Sequence, residues 1–127
     1  MLQQTTVAAV IANRRFEKFL KEFPDLETIA KAKEPQLLKA WEGLGYYNRV
    51  RNLQKTAIAV LADHDGEFPK DAPTLETLPG IGKYTAGAVS SFAFDQAASI
   101  VDANVARVTA RLFDYQKEID SLSLIHI

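Results

Sequence analysis

A carboxylate downstream of a glycine-bearing turn is the part of this sequence best suited to chemistry. The turn lies in Leu78-Pro79-Gly80-Ile81-Gly82-Lys83-Tyr84-Thr85-Ala86-Gly87, and the carboxylate is Asp102 in Ile100-Val101-Asp102-Ala103-Asn104-Val105. Gly80 and Gly82 accept backbone angles that other residues resist, and they leave no side chain in the way. The segment reads as a helix end, a tight hairpin and the start of a second helix. A phosphate can then approach bare N–H groups and the positive end of that helix. An anion-binding hairpin followed by an aspartate points to chemistry on a nucleic acid, not to binding alone.

The elements that must position these residues are helical, and the predicted fold class is all-α. Val7, Val10, Ile11, Phe16, Leu20 and Phe23 recur at spacings of three and four, which predicts one apolar stripe ended by Pro24. Asp25 is placed to cap a short helix through Leu26, Ile29 and Ala30. Glu34 to Trp41 forms the next, with Leu37, Leu38 and Trp41 inward, and Gly43 and Gly45 break it. Val50, Leu53, Ala57, Val60 and Leu61 define a long helix. Asp65-Gly66 marks a loop, not a β-hairpin, because its flanks do not alternate. Thr74 to Leu78 leads into the hairpin. Lys83 to Phe94 is apolar on nearly all sides, the pattern of a central helix with small residues for close contacts. Val105, Val108 and Leu112 begin a last helix.

The chain has 127 residues, of which 47% are hydrophobic, so one domain with a packed core is expected. It has no apolar run long enough for a membrane span and no signal-peptide pattern. Cysteine is absent, which excludes disulfides and cysteine-ligated clusters within these residues. The default expectation is an intracellular protein. The formal net charge of −1 is unlike the basic balance common in nucleic-acid-binding domains. The basic residues nevertheless cluster, as Arg14, Arg15 and Lys18 and as Arg49, Arg51 and Lys55; either cluster alone is more often a solvated helix face. Asp63, His64 and Asp65 read as a solvated turn, because adjacent loop residues rarely converge on one ion.

Four motifs together resemble the adenine DNA glycosylases of the MutY type, members of the helix-hairpin-helix, Gly/Pro-rich, Asp superfamily. They are Met1-Leu2-Gln3-Gln4-Thr5, Gly43-Leu44-Gly45-Tyr46-Tyr47 with Arg49-Val50-Arg51-Asn52-Leu53, the hairpin, and Val101-Asp102-Ala103-Asn104-Val105. The resemblance covers residues 1 to about 121 and implies a helix-hairpin-helix glycosylase fold with a six-helix core. It places the hairpin at about 78–84 and the start of a second helical lobe at about 100–121. Residues 122–127 lack helical amphipathicity and are set aside as a non-native tail.

The resemblance also implies roles. The hairpin, through Leu78, Gly80, Ile81, Gly82, Lys83 and Thr85, would grip the DNA backbone, with a cation held by main-chain carbonyls and no metal held by side chains. Gln3 and Gln4 resemble residues that wedge into the duplex near the flipped base. Tyr46 resembles the aromatic that intercalates beside the opposite oxidised guanine. Asp102 matches the active-site aspartate. Tyr84 stands where lyase relatives of the endonuclease III type carry a nucleophilic lysine. The implied activity is base excision of adenine opposite 8-oxoguanine or guanine by base flipping, with carboxylate stabilisation of a cationic sugar. The implied partner is double-stranded DNA with a mismatched adenine, bound by a monomer at a bacterial nucleoid in the cytoplasm. The family's general-acid glutamate is expected just before the Met-Leu-Gln-Gln segment. Its 4Fe–4S cysteines and its oxidised-guanine recognition domain are expected after the region matched. The chain therefore reads as an internal fragment with no cofactor of its own and little activity as written.

Each residue also has a plainer reading. Asp102 is a good helix cap, and one residue can both cap and catalyse. Tyr46, Tyr47 and Tyr84 are readable as packing aromatics, and Gln3 and Gln4 as surface polar residues. The alternatives are an endonuclease III-like glycosylase and lyase using Lys83 in a shifted register, a non-catalytic DNA-binding module, and an all-α interaction domain.

Overall fold

The computed structural model describes residues 1–2, 5–11 and 14–115. The expectations placed on Gln3, Gln4 and the tail 122–127 lie outside them. The described residues form eight helical segments and no strand. They divide into two units, one of Met1–Phe68 with Leu78–Gly80, the other of Pro69–Thr77 with the chain from Ile81 onward.

The first unit holds α1 (Val7–Ile11), α2 (Arg15–Glu22), α3 (Leu26–Lys31), α4 (Glu34–Ala40) and α5 (Asn48–Asp63). Its core gathers Val10, Phe19, Phe23, Ile29, Leu37, Trp41, Leu44, Val50 and Ala57. Phe19 meets the Trp41 ring edge-on at 5.8 Å and Phe23 at 5.0 Å, the tilted arrangements aromatic quadrupoles favour. Asp25 caps α3 as expected: its Oδ1 accepts from the Thr28 amide at 2.8 Å, and the Thr28 hydroxyl accepts from the Asp25 amide at 3.3 Å. The far end of α3 is met from α5. The Gln54 side-chain amide donates to the carbonyls of Ile29 at 3.2 Å and Ala32 at 2.7 Å, where that helix ends.

The single amino-terminal stripe is not what forms. Arg14 takes a left-handed φ of 48° and separates α1 from α2. Val7, Ile11, Phe16 and Leu20 are exposed, while Val10, Phe19 and Phe23 turn inward. The spacing of three and four continues through the break in sequence but not in direction.

The second unit holds α6 (Ala72–Glu76), α7 (Lys83–Phe94) and α8 (Ala103–Leu112). Asp71 caps α6 by accepting from the Thr74 amide at 2.9 Å, which starts this helix earlier than its apolar residues suggest. α7 has the predicted bounds but is not buried all round. Ala86, Gly87 and Ser90 face inward, and Phe92 is 85% exposed. The buried Ser90 hydroxyl is satisfied by donating to the Lys70 carbonyl at 2.7 Å. Gly87 permits close approach of the segment beyond α7: a β-carbon there would lie 2.5 Å from the Ser99 carbonyl oxygen. In α8 the buried face is Ala106 and Ala110, whereas Val105, Val108 and Leu112 are exposed.

Candidate nucleic-acid interface and active site

The hairpin begins where α6 ends. Leu78 is buried, so any part it takes in binding falls to its backbone. The Pro79 carbonyl accepts the Thr56 hydroxyl of α5 at 2.7 Å. That hydroxyl also lies 2.9 Å from the Asn52 carbonyl one turn back, so its proton is shared between them. Gly80 follows with φ 76°, and its missing β-carbon would stand 2.5 Å from the β-carbon of Asn52. Only glycine fits that contact and that angle without strain.

Gly82 differs. It has extended backbone, φ −89° and ψ 173°, and caps α7 without offering a side chain. Nothing lies within 4 Å of where its β-carbon would be. Pro79, Gly80, Gly82 and Lys83 are exposed, and Ile81 and Thr85 are half-buried. An uncapped first turn fronted by a bare glycine is an arrangement that receives anions.

Asp102 is a helix cap. Its Oδ1 accepts from the Val105 amide at 2.7 Å, opening α8, and its Oδ2 lies 3.5 Å from the Asn104 side-chain amide. The cap fixes the carboxylate's orientation, which a catalytic group also needs. A cavity of about 440 Å³ in the second unit is lined by Lys83, Tyr84, Gly87, Ser99 and Val101 among others. It brings both residues weighed for the lyase position, Lys83 and Tyr84, beside the neighbour of Asp102. Asp102 itself is not in its wall.

Tyr46 stands in the first unit at φ 48° and is 62% exposed. Beneath it lies Arg49, whose guanidinium is 5.8 Å from the Tyr46 ring and 5.3 Å from the Trp41 ring. Arg49 donates to the carbonyls of Met1, Leu44 and Gly45 and to the Thr5 hydroxyl, at 2.9–3.2 Å. The sequence shows it as one of three clustered cations and as part of a motif, with no role of its own. No charge pattern distinguishes it from Arg51, which pairs with Glu34 at 2.6 Å. Arg14 and Arg15 are likewise engaged, with the Glu17 carboxylate and the Glu42 carbonyl.

Among the described residues no group of His, Cys, Asp or Glu is placed to hold a metal ion, and no helix is long and apolar enough to cross a membrane. The sequence has no cysteine, so these residues supply none of the thiolates that an iron–sulfur cluster requires.

The adenine DNA glycosylase of Mus musculus is 45% identical over 113 residues, 88% of this chain and 22% of that protein. The adenine DNA glycosylase of Buchnera aphidicola is 43% identical over 113 residues, 89% of this chain and 32% of that protein. The chain thus spans between a fifth and a third of the length of these relatives. A non-covalent endonuclease III–DNA complex superposes with a TM-score of 0.79 at 29% identity, covering 93% of this chain and 56% of the other. Residues 1–123 match the family described as HhH-GPD superfamily base excision DNA repair protein, and the chain belongs to that superfamily.

Proposed function

We propose that the protein containing this chain is an adenine DNA glycosylase that flips adenine out of a duplex and hydrolyses its N-glycosidic bond. The observation that carries the reading is the identity of 45% and 43% with adenine DNA glycosylases across the hairpin and the Asp102 segment together. In this reading Gly80, Ile81, Gly82, Lys83 and Thr85 form the backbone grip, with Leu78 contributing main chain. The Asp102 carboxylate faces the sugar as positive charge develops there; a fixed carboxylate stabilises that charge without reorganising. Tyr84 lines the cavity whose wall includes Val101, the residue before Asp102. A phenol forms no Schiff base, so the reaction ends at base release. The proposed partner is duplex DNA carrying adenine opposite 8-oxoguanine or guanine, bound by a monomer at the bacterial nucleoid. Gln3, Gln4 and Tyr46 act at the opened base pair.

The test is single-turnover adenine release by the full-length protein, from a duplex with adenine opposite 8-oxoguanine and from one with adenine opposite thymine. Release from the first alone is expected. Absence of release from both, with duplex binding intact, would leave a DNA-binding module.

A further inference from the structure

Resting on the nucleic-acid reading above, we propose that Arg49 is a positioning residue for Tyr46. It locks the Gly43–Tyr46 loop and the amino-terminal segment at Met1 and Thr5 into one rigid mount. The exposed Tyr46 ring then meets a base stack without having to be ordered first.

The loop is conformationally demanding. Gly43, Gly45 and Tyr46 have φ of 83°, 67° and 48°. Glycine takes such angles freely, but an aromatic residue does so only where its surroundings over-determine it. Those surroundings are visible. The Leu44 carbonyl accepts from the Thr5 hydroxyl at 3.2 Å and from Arg49 at 3.0 Å. The Gly45 carbonyl accepts from the Trp41 indole at 3.2 Å and from Arg49 at 3.2 Å. Each loop carbonyl is thus held from two directions, with Arg49 common to both.

The same guanidinium reaches the Met1 carbonyl and the Thr5 hydroxyl and lies near both aromatic rings. Only a planar group with several fixed donors and two weakly hydrated faces can do all of this; a lysine ammonium lacks the fork and the faces. An aromatic ring held this way loses little freedom on stacking, and that saving appears as affinity.

The experiment compares the parent with Arg49→Lys, Tyr46→Ala and the double variant. In the free protein, amide exchange at Leu44, Gly45 and Tyr46 should quicken about tenfold in Arg49→Lys while exchange across α3 and α5 is unchanged. Emission from Trp41, the only tryptophan, should shift with it. With a duplex carrying 2-aminopurine at the expected intercalation step, Arg49→Lys should weaken binding about tenfold, but by less than about twofold when Tyr46 is already alanine.

Equal losses in both backgrounds, or exchange quickened throughout α3 and α5, would mean a general structural role and overturn the proposal. Unchanged loop exchange would overturn it as well. If the parent itself binds no duplex, the nucleic-acid reading fails, and the exchange arm alone decides the Arg49 mount. Should Arg49→Lys not fold, Thr5→Val, which removes one Arg49 partner and the hydroxyl on Leu44, carries the same comparison.

Discussion

Replacing Gly80 by alanine tests the hairpin's geometry most directly, because two independent effects act at one atom. A β-carbon at φ 76° meets the strain L-residues carry in the left-handed region, about 1–2 kcal/mol. The same atom would stand 2.5 Å from the Asn52 β-carbon and 2.7 Å from its γ-carbon. Asn52 lies in α5, and the Thr56–Pro79 hydrogen bond ties the hairpin to that helix, so neither side withdraws freely. Overpacking of this kind costs about 1–3 kcal/mol. The stiffer unfolded chain of alanine returns about 0.4–1 kcal/mol. The net loss is then about 1–5 kcal/mol, or roughly 4–20 °C at about 4 °C per kcal/mol for a chain of this size. Thermal unfolding followed by circular dichroism measures it. Gly82→Ala is the control, since its position is extended and open; it should melt within about 2 °C of the parent, as ordinary surface substitutions do. If Gly80→Ala melts with the parent, or Gly82→Ala falls as far as Gly80→Ala, the reasoning from backbone angle and Asn52 contact is refuted.

Asp102→Asn keeps a good cap and should leave stability within about 0.5 kcal/mol of the parent, whereas Asp102→Ala should lose about 1 kcal/mol. On the proposed function, Asp102→Asn in the full-length protein should slow single-turnover adenine release about a hundredfold or more, and a rate within a few-fold of the parent would leave Asp102 a cap only. If, as proposed, Tyr84 takes the place of the lyase relatives' lysine, borohydride reduction on abasic-site DNA should give no strong adduct; an adduct mapped to Lys83 would favour the lyase. The Asp25 carboxylate is held below its ordinary range, chiefly by the Thr28 amide. A depressed folded value means its stabilisation is present above the unfolded pKa of about 3.9 and lost as pH falls through the folded value. Asp25→Ala should therefore melt below the parent at neutral pH, with the gap closing in acid; a gap unchanged near pH 2 would contradict the assignment.

The sequence made the fold legible where one residue settles a local question. Asp25 announces α3, and the apolar run from Lys83 to Phe94 after the glycine turn announces α7. The helical period of Val105, Val108 and Leu112 located α8 but not its packed face: those residues face outward, while the small Ala106 and Ala110 pack inward. Residue size does not say which face has a neighbour. The break at Arg14 was hidden because a left-handed residue interrupts direction without changing composition. Around the candidate site, the glycine turn at Gly80 and the helix cap at Asp102 were readable from residue type. Arg49 was not, since its place beneath Tyr46 depends on folding Met1 and Thr5 against the Gly43–Tyr46 loop.

The hairpin also governs how the gene can be divided. Leu78–Gly80 belongs to the first unit, although the stretches on either side belong to the second. A coding sequence cut after Phe68 would deprive the Thr56 hydroxyl of its Pro79 carbonyl and leave bare the Asn52 flank on which Gly80 rests. Truncation series and split-protein pairs should therefore keep residues 1–80 on one polypeptide. A break placed in the intuitive loop around Asp65-Gly66 removes the few residues that complete the upstream half.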